Sequence, residues 1–187
     1  NNVGQLGIGT TTTQKTPQTV PSLSGVKILR VGGSNVHVIL NDGTIKGWGQ
    51  GDNGQVGPMT HQKSPVTLDI GGKARDITSG SGPCAIMEND DLKCWGGGGY
   101  ISPSANLKVD TSNVLKISGA CVLKRNQRVY CRGTNYAGQL GLDSEVANGE
   151  FGAPIAFDKD VVDLGPTCAT FSDGTVKCWG LNNHAQA

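Results

Sequence analysis

The chain has no long apolar run, no marked excess of either charge and no amphipathic helical periodicity. None of its apolar stretches approaches the ~20 residues of a membrane-spanning helix, so we expect no membrane insertion. The 16 Lys and Arg are scattered and nearly balance the 15 Asp and Glu, which is untypical of a nucleic-acid-binding surface. The missing helical pattern leaves strands as the expected secondary structure.

Signatures of catalysis and of metal or cofactor binding are also missing. There is no H-E-x-x-H zinc motif, no P-loop and no dinucleotide fingerprint after a strand, and "GGSNV" at 32–36 is not a nucleophile elbow. His37, His61 and His184 are isolated from one another in the sequence. We therefore predict a protein that is not an enzyme, with no catalytic residue, no metal ion and no cofactor.

Glycine is abundant, and the chain repeats. Its 29 glycines, about twice the usual share, follow no collagen-like period and indicate many tight turns. Four segments align, at 36–49, 83–96, 120–133 and 167–180. Their shared positions predict a structural repeat core that consists of Trp48, Trp95 and Trp179, with Arg132 at the fourth site, and of the glycines that follow, Gly49, Gly96, Gly133 and Gly180.

Each repeat unit contains four short β-elements. A short apolar run precedes the hairpin, a glycine loop follows it ("DNGQVG" at 52–57, "YAGQLG" at 136–141, "NVGQLG" at 2–7), and a last strand closes the unit. A period of ~47 residues with four strands is typical of propeller blades. We predict a single repeat domain over 1–187, with units at 21–68, 69–109, 110–157 and 158–187, the last completed by 1–20.

The hairpins pair the six cysteines. Ser172-Asp173-Gly174 suits a three-residue loop with glycine in the left-handed conformation, and counting outward places Cys168 opposite Cys178 on a non-hydrogen-bonded pair. The same register predicts the disulfides Cys84–Cys94, Cys121–Cys131 and Cys168–Cys178. The remaining unit has His37 and Gly47 at these positions, so both cysteines are missing together. Reduced thiols and a zinc site are the alternatives, and disulfides would indicate an extracellular or cell-surface protein.

The sequence resembles the regulator-of-chromosome-condensation repeat family, in a cysteine-bearing form like that of secreted and surface proteins. "SDGTVKCWGLNN" at 172–183, "LNDGTIKGWGQGDNGQVG" at 40–57 and "NNVGQLGIGTTTTQKTPQTV" at 1–20 carry the resemblance. It implies an all-β fold of propeller blades, about four of them, against seven in the family's familiar rings. The ring would be closed by strand exchange of the termini or continued into a larger or joined assembly.

Loops that interrupt the repeat are the candidate binding sites. Tyr100 in the 96–105 loop and Phe151 in the 142–153 loop are the aromatic residues we expect to be exposed there. Ordinary variation in loop length explains these loops equally well. Thr10, Thr11, Thr12 and Thr13 would be acceptors for O-linked sugars in an extracellular protein, although threonines at this position also belong to the repeat pattern.

The sequence favours a non-enzymatic, extracellular protein-interaction or structural propeller. One alternative is a subunit of a head-to-tail fibre, because Asn1-Asn2 aligns with Asn182-Asn183 and 1–20 could complete the last blade in the same chain or in the next. Another is a lectin-like propeller that binds glycans through loop aromatics. The expected partner is thus a protein, a further copy of the chain or a glycan.

Overall fold

The fold consists of short antiparallel strands. A computed structural model describes residues 1–97, 112–142 and 151–181, and within them no helix is long and apolar enough to cross a membrane. The strands of these ranges are β1 (Val26–Gly32), β2 (Asn35–Leu40), β3 (Ile45–Gly49), β4 (Gln62–Leu68), β5 (Ala74–Ile77), β6 (Cys84–Met87), β7 (Leu92–Cys94), β8 (Val114–Ser118), β9 (Cys121–Lys124), β10 (Val129–Cys131), β11 (Val161–Leu164), β12 (Cys168–Phe171) and β13 (Val176–Cys178).

The strands form four sheets, which we call the first to fourth blades. The first blade has the order β1-β2-β3-β4, and the others have β5-β6-β7, β8-β9-β10 and β11-β12-β13. The first two blades belong to a compact unit of residues 1–105, and the last two to a unit of residues 106–187. Consecutive strands pair in every sheet, because each connection is a short turn or loop. The all-β prediction is confirmed.

The hairpin turns follow the predicted chemistry. Gly43 and Gly174 have φ of 80° and 81°, and at the matching turn positions Asp90 and Gln127 have φ of 65° and 61°. In the fourth blade the Gly174 amide donates to the Phe171 carbonyl at 2.9 Å, as a tight three-residue loop requires. These turns fix the register of each hairpin, and with it the face on which every side chain lies.

Each compact unit has a core between two successive blades. In the first unit, Ile39, Ile45 and Leu68 of the first blade pack with Ile77 and Met87 of the second. In the second unit, Leu123, Val129 and Cys131 of the third blade pack with Leu164 and Phe171 of the fourth. Residues alternate along the hairpin strands, so the side chains that form each core lie on one face of their blade.

Candidate interaction surfaces

Each of the three cysteine-bearing hairpins is closed by one disulfide. The bonds Cys84–Cys94, Cys121–Cys131 and Cys168–Cys178 join directly opposite residues with Cα–Cα distances of 4.0, 4.1 and 4.0 Å. No cysteine is left free. The predicted pairing is confirmed, because a non-hydrogen-bonded antiparallel pair brings two Cβ atoms to the separation that a disulfide needs.

In the first blade a histidine replaces the disulfide. The ring of His37 lies over Gly47, where an added Cβ would meet the ring Cδ2 at 3.1 Å. Its Nε2 is 2.8 Å from the Gln55 carbonyl and its Nδ1 is 2.9 Å from the Ser79 hydroxyl of the following blade. The imidazole ring also packs edge to face against the Trp95 indole, with the ring centroids 5.9 Å apart. His37 therefore joins the first blade to the second through Ser79 and Trp95, where its cysteine counterparts close their own hairpin.

The hydrogen-bond partners of His37 set its protonation state. A carbonyl oxygen only accepts, so Nε2 carries the proton that it donates to Gln55. The unprotonated Nδ1 lies 2.9 Å from the Ser79 hydroxyl, which is also 2.8 Å from the Asn35 side-chain oxygen. The side chain is fully buried. Burial lowers its pKa from 6.5 to about 4, opposed by the hydrogen bond to Gln55. His37 is therefore neutral near pH 7.

A tryptophan–glutamine contact, which we call the Trp–Gln latch, recurs in three blades. The indole Nε1 donates to the backbone carbonyl of a loop glutamine: Trp48 to Gln5 at 3.0 Å, Trp95 to Gln55 at 2.9 Å and Trp179 to Gln139 at 3.0 Å. Each glutamine side chain in turn accepts from the backbone amide two residues earlier, at Val3, Asn53 and Ala137. The glutamine thus holds its own loop in shape and presents its carbonyl to the tryptophan.

The glycine after each tryptophan makes room for the latch. An added Cβ would lie 3.3 Å from the Gln5 Cα at Gly49, 3.2 Å from the Gln55 Cα at Gly96 and 3.5 Å from the Gln139 Cα at Gly180. These glycines have φ of 95°, 81° and 99°, in the region that disfavours side chains. The conformation and the close approach both explain the repeated Trp-Gly pair.

One uncovered apolar surface lies on β1, and we call Val26, Leu29 and Val31 the β1 face. Their exposed fractions are 41%, 55% and 68%. The register equates Val26 with Ala74, Val114 and Val161, and Leu29 with Ile77, Ile117 and Leu164, all of which are buried. At Val26 and Leu29 the first blade therefore exposes apolar side chains whose counterparts in the other blades are buried.

A second uncovered surface lies on β13, and we call Val176 and Cys178 the β13 face. Val176 is 59% exposed, whereas its counterparts Ile45, Leu92 and Val129 are 0–3% exposed. Every residue of β13 is exposed. In the third blade, the face equivalent to the β13 face packs against the fourth blade. In the fourth blade the same face is exposed.

Phe151 differs from the expectation of an exposed aromatic. It is 4% exposed and its ring lies 5.7 Å from the Arg132 guanidinium. Arg132 occupies the repeat position at which the other blades have tryptophan. The ring of Phe151, from the following loop, lies against its guanidinium group as a cation–π contact. Tyr100 lies outside the described residues. Thr10, Thr11, Thr12 and Thr13 are exposed, as sugar acceptors must be, and their modification stays a prediction.

The comparisons with known sequences agree on one repeat family. The model of the Regulator of chromosome condensation (RCC1) repeat matches residues 1–40. The probable E3 ubiquitin-protein ligase HERC4 of Homo sapiens is 42% identical over 169 residues, which cover 77% of this chain and 16% of HERC4. The ultraviolet-B receptor UVR8 of Arabidopsis thaliana is 30% identical over 104 residues, or 52% of this chain and 24% of UVR8. The chain spans less than a quarter of the length of either relative.

Solved structures show the same fold. Prp20p of Saccharomyces cerevisiae matches with a TM-score of 0.76 and 17% identity, covering 96% of this chain and 51% of that one. Human WBSCR16 matches with a TM-score of 0.71 and 19% identity, covering 88% and 48%. At these identities the likeness concerns the fold, and it confirms that the four sheets are propeller-type blades.

Proposed function

Because the chain is built from regulator-of-chromosome-condensation repeats, we propose that it is a protein-binding propeller module that works without catalysis in an oxidising, extracellular or cell-surface environment. The main observation in support of protein binding is the exposure of Val176, whose repeat counterparts are all buried. Uncovered apolar side chains on a rigid sheet are typical of surfaces that bind another protein. Prp20p, which shares the fold, has binding properties to Gsp1p and histones.

The disulfides support the proposed compartment. All six cysteines are paired within their own hairpins, and structural disulfides persist where the environment is oxidising. Protein isolated from its natural source and alkylated without reduction should show no free thiol, and its peptide map should contain the three hairpin pairs. Alkylated cysteines in that map would contradict the proposed compartment.

The acidic residues beside the fourth blade support a role without catalysis. Asp158 and Asp163 each form an ion pair, with Lys177 and Lys116 respectively. The hydrogen bonds from these lysines lower the pKa of both carboxyl groups. Both groups thus stay ionised at neutral pH, which suits an ion pair better than a general acid.

A photo-reactive amino acid at position 176 tests the binding surface directly. Val162 provides the matched control, because it lies in the same blade and is 54% exposed. We expect the probe at 176 to form a protein adduct that the probe at 162 does not form. Equal labelling from the two positions, or none from either, would count against the β13 face as a protein-binding surface.

A further inference from the structure

The outer edge of β13 is an unpaired sheet edge in the part of the chain that the structure describes. In the first blade β4 pairs with β3. In the third, the Ile155 amide donates to the Val129 carbonyl at 2.9 Å. In the fourth blade β13 pairs only with β12 among the described strands, as β7 does with β6 in the second. Exposed strand edges pair readily with an added strand.

Val176, at this edge, lacks the cross-strand neighbour that its counterparts in the first and third blades have. Ile45 of the first blade has Leu68 of β4 as its cross-strand partner and is 2% exposed. Val129 of the third is bonded to Ile155 and is fully buried. Val176 occupies the equivalent position without such a partner. An added strand with an apolar residue opposite Val176 would supply the contact that the first and third blades have.

Residues 16–20 have the sequence of that strand. "TPQTV" aligns with "SPVTL" at 64–68, which lies within β4. Yet 16–20 form no strand, and the residues from Thr10 to Thr19 are all exposed. The register in which Leu68 faces Ile45 and Thr67 faces Lys46 places Val20 opposite Val176 and Thr19 opposite Lys177.

Residues before this segment are anchored on the first blade. The Gln5 carbonyl accepts from Trp48 in the Trp–Gln latch, and the Gly9 amide donates to the Lys63 carbonyl at 2.9 Å. The same blade carries the uncovered β1 face. One molecule thus presents both the strand segment 16–20 and the apolar β1 face. These are the two features that would complete a contact with a fourth blade.

We propose that residues 16–20 of a second copy of this chain add to the outer edge of β13 as an antiparallel fourth strand, so that copies associate head to tail. Val176 of one copy then packs toward Val26 and Leu29 of the other, as Val129 packs with Val161 and Leu164 within the second unit. The proposal rests on the proposed function and names its partner. The two surfaces differ, so the contact is heterologous and gives a ring or a filament.

Two variants test this contact from opposite sides. Val176→Asp places a carboxylate on the β13 face, and Val20→Asp places one on the added strand. Val162→Asp is the matched control, with the same substitution at an equally exposed valine of the fourth blade. Intact disulfides, and a Tm unchanged at a dilution where the wild type is monomeric, would show that each variant is folded. Sedimentation velocity over a dilution series then measures association.

We expect the wild-type chain and Val162→Asp to form dimers and larger species at high concentration. Either blocking variant alone should associate at least about tenfold more weakly, because the contact would bury an unpaired carboxylate. An equimolar mixture of Val176→Asp and Val20→Asp should form heterodimers and nothing larger. Each molecule in the mixture has one intact surface, and those surfaces are complementary only between the two variants.

A wild-type chain that stays monomeric at every concentration would overturn the proposal. A monomer whose Tm falls in both blocking variants would overturn it too, because the strand would then pair within one molecule. If the chain is monomeric but the probe at 176 still forms a protein adduct, the partner is a different protein and the proposed function survives. If neither association nor an adduct is found, both fail.

Discussion

His37 shows how one substitution changes what a repeat position does. Its repeat counterparts are disulfide cysteines, whereas His37 reaches the next blade through Ser79 and also contacts Gln55 in the loop between β3 and β4. The sequence indicated the lost disulfide, because Gly47 replaces the partner cysteine. It could not indicate the new contacts, because both partners are remote in sequence. Gly47→Cys would place a side chain in the space that the imidazole ring occupies.

The first unit should lose stability as the pH falls from about 6.5 to about 4. The folded-state pKa of His37 is lowered to about 4 from 6.5, so the unfolded chain binds more protons in this range. The loss should reach about 3 kcal/mol of unfolding free energy. The loss is absent above the pKa of His37 in the unfolded chain and complete below its pKa in the folded protein.

Urea denaturation at pH 7, 5.5 and 4.5 measures this effect. His37→Gln should remove most of the pH dependence, whereas His61→Gln, at an exposed loop histidine, should keep it. The two variants therefore separate His37 from the carboxyl groups that also titrate at low pH. Identical pH slopes in His37→Gln and the wild type would contradict the assignment.

At the scale of the element, the hairpin is the best-predicted part of the molecule. Its turn, its register and its disulfide depend on residues within about ten positions, so a local pattern specifies them. The Trp–Gln latch was not predicted, although the sequence shows a tryptophan in three repeats and a glutamine in three loops. Its signal was the regular recurrence of Gln5, Gln55 and Gln139, one loop ahead of each tryptophan.

Two glycine-to-alanine substitutions distinguish the stability cost of backbone strain from the cost of a steric clash. Gly174 and Gly49 have φ of 81° and 95°. An added Cβ at Gly174 meets nothing within 4 Å, but at Gly49 it lies 2.4 Å from the Ser34 carbonyl oxygen. Gly174→Ala should cost about 1 kcal/mol and Gly49→Ala about 3 kcal/mol or more. Chemical denaturation checks the difference, and equal costs would contradict the packing argument.

The fourth blade's disulfide should be reduced first. Cys178 is exposed, whereas Cys84, Cys121 and Cys131 are each 1–2% exposed. Thiol–disulfide exchange requires access of the attacking thiolate to sulfur. Graded reduction with a small thiol, followed by alkylation and peptide mapping, should label Cys168 and Cys178 before the others. Simultaneous labelling of all three pairs would mean that exposure does not control the order.

At the scale of the whole molecule, burial depends on neighbours that a local sequence pattern does not specify. Val176 and Val129 occupy one repeat position, yet one is exposed and the other fully buried. Phe151 shows the reverse, since an aromatic in an irregular loop is buried beneath Arg132. The blade type could thus be predicted from the sequence, but the location of the uncovered surfaces required the structure.

Head-to-tail association should protect the exposed disulfide. The added strand would cover β13, so the reduction rate of Cys168–Cys178 should fall as the protein concentration rises. Cys84–Cys94 provides the internal control, because Cys84 is already buried. Quenched-flow alkylation at several concentrations measures both rates. A concentration-independent rate for Cys168–Cys178 would contradict the coverage of β13.

The Trp–Gln latch also determines how the molecule would respond to mechanical tension. The three latches span 43, 40 and 40 residues, and the enclosed segments do not overlap along the chain. A force that pulls on the two termini therefore loads the latches in series. Opening the first segment would release ~140–150 Å of extended chain. The second and third would each release only ~100 Å, because the disulfides Cys84–Cys94 and Cys168–Cys178 hold back ten residues. A tether of this kind would lengthen in separate steps, one long and two shorter, and so limit the peak force on whatever it joins.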